Sequence, residues 1–174
     1  MRRFISLILL GSTLASCQTV QPAKQTRVVE TREAMIDGVN PAALTIWDIG
    51  NNALADSGVL DPALMDGAAW SRLGEAARML GFYSRQMGEA DIIRAGGPDT
   101  GSDEVPPGVA TQAEIQAMVD ADPEGFRDIS LQMAAQADAL EKAAEARNPV
   151  LAGELTNAIG DPCQSCHVRY WYEQ

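Results

Sequence analysis

The sequence predicts an all-α protein, an antiparallel bundle of four helices, on three observations. The apolar AVILMFWYC group makes up 46% of the 174 residues while aromatics reach only 5%, so Ala, Leu and Met carry the hydrophobic content. That composition suits helices better than a sandwich or barrel, which draws on β-branched and aromatic strands. Apolar residues recur every three or four positions in several long segments, and no alternation of strand type is sustained anywhere. The chain is long enough for one domain with a sizeable core.

The first helical segment is expected from about Thr31 to Ala53, with Thr31 as N-cap and Leu44, Ile46 and Trp47 as the buried stripe. Gly38-Val39-Asn40-Pro41 should kink or break it, Asn40 capping a restart with Pro41 at its first position. The second opens at the cap candidate Asp66 and runs to about Ile93, its inner face being Trp70, Leu73, Ala77, Leu80, Ser84 and Met87. Gly96-Gly97-Pro98 stops it, and the stretch from Ala95 to Gly108 reads as a crossover loop. Ala110 to Val119 forms a short helical piece. The third long helix starts at Asp122-Pro123 and continues to about Arg147, with Phe126, Ile129, Met133, Ala137, Leu140 and Ala144 inward. Asn148-Pro149 begins the fourth, faced by Leu151, Leu155 and Ile159. Gly160-Asp161-Pro162 punctuates it before the final turns, Cys163 to Tyr172. Helices in this order favour an up-down-up-down bundle.

The ends of the chain carry different information. Met1-Arg2-Arg3, the apolar run Phe4 to Leu10 and then Leu14-Ala15-Ser16-Cys17 follow the order of a secretory leader, and the run is too short to span a bilayer. The last four residues resemble the lipobox of bacterial lipoproteins. The resemblance implies cleavage after residue 16, a lipidated Cys17 and, with Gln18 next, the periplasmic face of the outer membrane. The expected organisation is therefore a leader over 1–16, a flexible tether over 17–30 and a helical domain over 31–174. Losing Arg2 and Arg3 would leave 11 basic against 24 acidic residues, a net charge of −13 in place of −11. Such a surface repels phosphate, which excludes nucleic-acid binding; it is a solvated face first and a docking surface for a basic redox partner second.

Near the C-terminus stands Cys163-Gln164-Ser165-Cys166-His167, containing the only His of the chain. This is the covalent c-type haem pattern: two thiols meet the two vinyl groups of one porphyrin and the adjacent imidazole binds its iron. A structural zinc site needs four ligands, more than two Cys and one His supply. A thioredoxin-like pair expects a βαβ setting. A disulfide across so tight a loop would leave His167 unexplained. One Cys-x-x-Cys-His close to the end of an acidic, Ala-rich helical chain resembles the class II c-type cytochromes, cytochrome c′ and its low-spin relatives. The resemblance covers roughly Thr31 to Tyr172 and is carried by Cys163, Cys166 and His167. The Gly160-Asp161-Pro162 break and the Ala95–Gly108 loop depart from the family pattern.

The resemblance implies one covalent haem c and a distal position near the start of the first helix. Met35 falls there, at the same end of an even-numbered bundle as His167. Thioether ligation opposite His would suit electron transfer; core packing is the other reading of Met35. Met65, Met79, Met87, Met118 and Met133 are rivals, of which Met87 and Met133 read first as core. Trp47 and Trp70 read as core. Arg169 is either the partner of a haem propionate, as a basic residue there is in relatives, or a solvated charge. Tyr170, Trp171 and Tyr172 either cover the porphyrin edge or anchor the last turn. The expected function is a membrane-tethered electron carrier. The alternatives are a pentacoordinate gas-binding protein for nitric oxide or carbon monoxide, and a haem-free structural lipoprotein. No acid–base or nucleophile constellation suggests an enzyme, and a homodimer stays open by resemblance.

Overall fold

Apolar residues at three- and four-residue spacing shape most of the molecule. The computed structural model describes residues 25–96 and 108–172. The leader, Cys17, most of the tether and all but the ends of the Ala95–Gly108 loop lie outside the described residues. In chain order the elements are β1 (Val28–Glu30), α1 (Thr31–Ala34), a π-helical segment (Met35–Val39), α2 (Asn40–Ala53), α3 (Gly67–Gly88), β2 (Ile92–Arg94), α4 (Gln112–Ala121), α5 (Pro123–Glu145), α6 (Pro149–Ala158) and α7 (Gly160–Tyr170). The fold is all-α in bulk, with one small strand pair added.

That pair corrects the expected tether. Val28–Glu30 is not free chain but pairs in parallel with Ile92–Arg94, Val28 opposite Ile92 and Glu30 opposite Arg94. Val29 and Ile93 turn inward, as the two-residue period of a strand requires. Arg27 locks the entry, its backbone N–H donating to the Asp91 carboxylate at 2.9 Å and its guanidinium meeting Glu89 at 2.6 Å. The second helix accordingly ends at Gly88, five residues before the expected Ile93. Three residues were too short a run to display alternation.

The first helix is continuous rather than broken. Thr31 lies inside it, and Glu30 at the cap position makes no side-chain cap bond. The expected kink at Gly38-Val39-Asn40-Pro41 is taken up by the π-helical segment, where the Asn40 N–H donates to the Met35 carbonyl. Widening the turn by one residue accommodates Pro41, which has no N–H and would crowd the carbonyl four residues back. Gly38 is required there by space: a Cβ would run into the Tyr83 ring. Ile46 is fully buried, as expected, but Leu44 is 63% and Trp47 40% exposed. The widened turn rotates the following face, so Ala42, Ala43, Ile46 and Ile49 point inward instead.

The capping residues behave as their chemistry dictates. Asp66 accepts from the Ala69 N–H at 2.8 Å, Asp122 from Gly125 at 3.2 Å and Asn148 from Leu151 at 3.2 Å. Thr111 and Glu114 form a reciprocal capping box at the start of α4. Along α3, Trp70, Leu73, Ala77, Leu80, Ser84 and Met87 are all buried.

The α3–α5 contact is the largest in the molecule and is built on small residues. A Cβ at Gly74 would meet that of Ala144 at 3.7 Å, one at Gly81 the Ala137 Cβ at 3.5 Å, and one at Gly88 the Leu131 side chain. Positions rise along α3 as they fall along α5, so the two run antiparallel. The Arg85–Asp138 and Arg78–Glu141 pairs flank the seam. α2 and α3 are antiparallel by the same logic, with Gly38 near Tyr83 and Asp48 paired to Arg72 at 3.0 Å. On α6 the inward face is Ala152, Gly153 and Thr156; Leu151, expected inward, is 41% exposed. A Cβ at Gly153 would collide with the Gly58 carbonyl, so the chain after α2 packs directly on that face. Ile159 and Pro162 are buried at the α6–α7 joint, where the expected Gly160-Asp161-Pro162 interruption is only a change of helix: Ile159 keeps helical angles.

Candidate functional site

α7 is placed by its own sequence. The spacing of Cys163 and Cys166 puts both sulfurs on one helical face, a turn apart, with His167 the next residue along. The Cys163 thiol donates to the Ile159 carbonyl at 3.3 Å, and both cysteines are free and half-buried. The end of α7 is clamped twice. Tyr170, buried and edge-on to Phe126 with ring centroids 5.4 Å apart, donates its hydroxyl to the Asp122 carbonyl at 3.0 Å or carboxylate at 2.9 Å. Beyond it the Ala110 N–H donates to the Trp171 carbonyl at 2.9 Å, part of an antiparallel bridge between Val109 and Tyr172.

Cys163, Cys166 and His167 open onto a cavity whose lining is almost wholly apolar. Across from α7 the wall is Thr31, Met35, Val39, Ala43 and Trp47 of the first helical run. α5 contributes Phe126, Ile129, Ser130 and Met133, α3 contributes Met87, and Ile115 of α4 closes another side. The cavity thus draws on every long helical run.

Burial sets the protonation states. It pushes the Cys163 thiol up and, reinforced by Cys163, takes Cys166 to about 11, so both sulfurs carry their protons at neutral pH. It lowers His167, leaving the imidazole neutral with a ring nitrogen free to bind a metal. Trp171 and Tyr172 lean on that ring, with centroids at 5.9 and 6.5 Å. Burial also raises the Tyr170 hydroxyl, helped by Asp122. In return the Tyr170 hydrogen bond, then the Gly125 N–H, holds the Asp122 carboxyl below its usual range.

The structure brings Met35 together with Cys163, Cys166 and His167 around one cavity and sorts its rivals. Met87 and Met133 are core residues, as read from the sequence, yet also line the cavity; Met65 is buried elsewhere and Met79 is surface. Trp47 is a cavity wall at the surface rather than core, whereas Trp70 is core. Arg169 does not line the cavity: it pairs with Asp122 and lies over the Tyr170 ring at 5.7 Å. Arg32, which sequence reasoning passed over, and Asn40, which it read only as a cap, are the polar residues of the first helical run at the cavity beside Thr31, whose buried Oγ1 has no partner. Their signal was in plain view: they lie three residues before and five after Met35, on the turns adjoining it.

The donor set fits a porphyrin held through two thioethers. Two protonated thiols on one face, a neutral imidazole beside them and a thioether across an apolar slot are the groups such an attachment uses. Among the described residues no three His, Cys, Asp or Glu side chains are gathered closely enough to hold a bare ion. Comparison with protein-family models, with curated proteins and with solved structures yields no match.

Proposed function

We propose that this chain is a membrane-tethered c-type cytochrome that transfers electrons through one covalently attached haem. The single observation carrying the reading is that Met35, from the start of the first helix, lines the same apolar cavity as Cys163, Cys166 and His167 at the end of the last. An antiparallel four-helix bundle, with α6 and α7 as its fourth member, is the architecture in which those two ends meet, and the pairwise directions of α2, α3 and α5 support it.

In this reading Cys163 and Cys166 would hold the macrocycle, and His167 and Met35 would be the protein's donors to its iron. When bound, the haem supplies a one-electron iron couple, raised in potential by thioether ligation. The protein's part is to keep the imidazole neutral, to hold α7 in place through Tyr170 and Asp122, and to exclude water with Val39, Phe126, Ile129 and Met133. A buried, rigid site of this kind changes oxidation state with little rearrangement. Cys17 anchors the chain to the periplasmic face of the outer membrane, and the acidic surface docks a basic redox partner.

Absorption spectra of the protein matured by a c-type assembly system test this. Low-spin spectra in both oxidation states, with slow carbon monoxide uptake, are expected. High-spin ferrous iron that takes up carbon monoxide at once would replace electron transfer with gas binding.

A further inference from the structure

Resting on the lipid-anchor reading, we propose that the outward apolar face built by Val28, Ile92 and Phe82 lies against the bilayer in which Cys17 is anchored. Val28 and Ile92 are register partners on neighbouring strands, both turned outward, and are 46% and 42% exposed. Phe82 is 53% exposed and meets Val28 in a groove whose other walls are Arg27, Arg85, Gln86 and Glu89. Met79, three residues before Phe82 on α3, extends the stripe and is 42% exposed. Contiguous apolar surface of this kind marks a contact.

The occupant follows from where the chain leaves the fold. Only nine residues, Gln18 to Thr26, separate Arg27 from Cys17. Even fully extended, that length spans at most about 36 Å. Arg27 pairs with Glu89 and Asp91, which places the root of the tether at the edge of the apolar face. Any bilayer holding Cys17 is therefore held within that reach of Val28, and the apolar face is the exposed surface nearest the root of the tether. The contact is apolar rather than electrostatic, because Arg27 and Arg85 are already paired, with Glu89 and Asp138. Docking there brings the β2 end of the molecule to the membrane, and Ala95, just past β2, is part of the cavity wall. The redox site then sits at the membrane-proximal end.

The test uses the full lipidated chain on phosphatidylcholine vesicles, with nitroxide attached at Phe82→Cys, Ile92→Cys or, at the far end of the molecule, Asp56→Cys. The identically treated parent chain supplies the background. Relaxation by oxygen, which concentrates in the bilayer, is compared with that by an aqueous nickel chelate. Oxygen should dominate several-fold at positions 82 and 92 and nickel at 56, unchanged in high salt. Chain that floats with the vesicles but shows nickel-dominated relaxation at all three positions overturns the docking and leaves the anchor standing. Failure to float removes the anchor reading and the docking with it. Protection of 82 and 92 from both reagents, together with a dimeric mass, assigns the face to a second copy and overturns the proposal.

Discussion

Two side chains decide how α7 presents its chemistry. Met35 stands at the first turn of the π-helical segment, where its carbonyl accepts the widened hydrogen bond and its side chain reaches the cavity. Met35→Ala is expected to yield high-spin iron that binds carbon monoxide rapidly, read from the ferrous spectrum; an unchanged spectrum would transfer the distal role to Met87 or Met133. Tyr170 fixes the other end. Tyr170→Phe keeps the contact with Phe126 but deletes the hydroxyl bonds to Asp122, and should cost about 1 kcal/mol in denaturant titration. The Asp122 carboxyl is depressed in the folded state, so its contribution is complete above the ordinary carboxylate range. It is lost as pH falls through and below that range, about pH 4. The drop in stability between about pH 7 and about pH 3, read by denaturant titration at each pH, should therefore be larger in wild type than in Asp122→Asn. Arg169 shows what a motif alone conceals: two residues past His167, it is spent on Asp122.

At the scale of elements, the glycines of α3 and of the π-helical segment make opposite predictions. At Gly74 an added Cβ meets Ala144 at an ordinary 3.7 Å, so Gly74→Ala should stabilise the helix by up to about 1 kcal/mol. At Gly38 the Cβ would overlap the Tyr83 ring, and Gly38→Ala should destabilise by about 1–3 kcal/mol. Thermal melts of the two variants, moving in opposite directions from wild type, check both. Helix starts were legible at Asp66, Asp122 and Asn148, each of which advertises a cap by local chemistry, and not at Thr31 or Asn40, which lie within the continuous first helical run. So were the faces of α3 and α5, where the apolar period persists for five or six turns. Strand β1 was not, since three residues cannot establish a period and its partner lies 64 positions away. The outward turn of Leu44 and Trp47 was not either, because one inserted residue in the π-helical segment shifts the phase of everything after it. On α6 Leu151 misled, while Leu155 packs against the core as expected: close approach of the Gly58 region selected Ala152 and Gly153 for the inner face.

For the whole molecule, the account joins a cavity fed by all the long helices to a chain that leaves the fold beside β2. Replacing Cys17 by Ser should release soluble protein with its haem spectrum intact, measured by fractionation; continued membrane association would contradict the lipid anchor. The cavity itself was readable only at its two ends, from Cys163-Gln164-Ser165-Cys166-His167 and from Met35. Its middle, Val39, Ile115 and Ile129, consists of ordinary apolar residues whose role depends on packing. The most direct test of the central claim is the intact mass of the exported polypeptide, with the modification mapped to the peptide carrying Cys163 and Cys166. The account predicts one porphyrin's added mass held by both sulfurs. Two unmodified thiols after maturation in a c-type assembly system would contradict it.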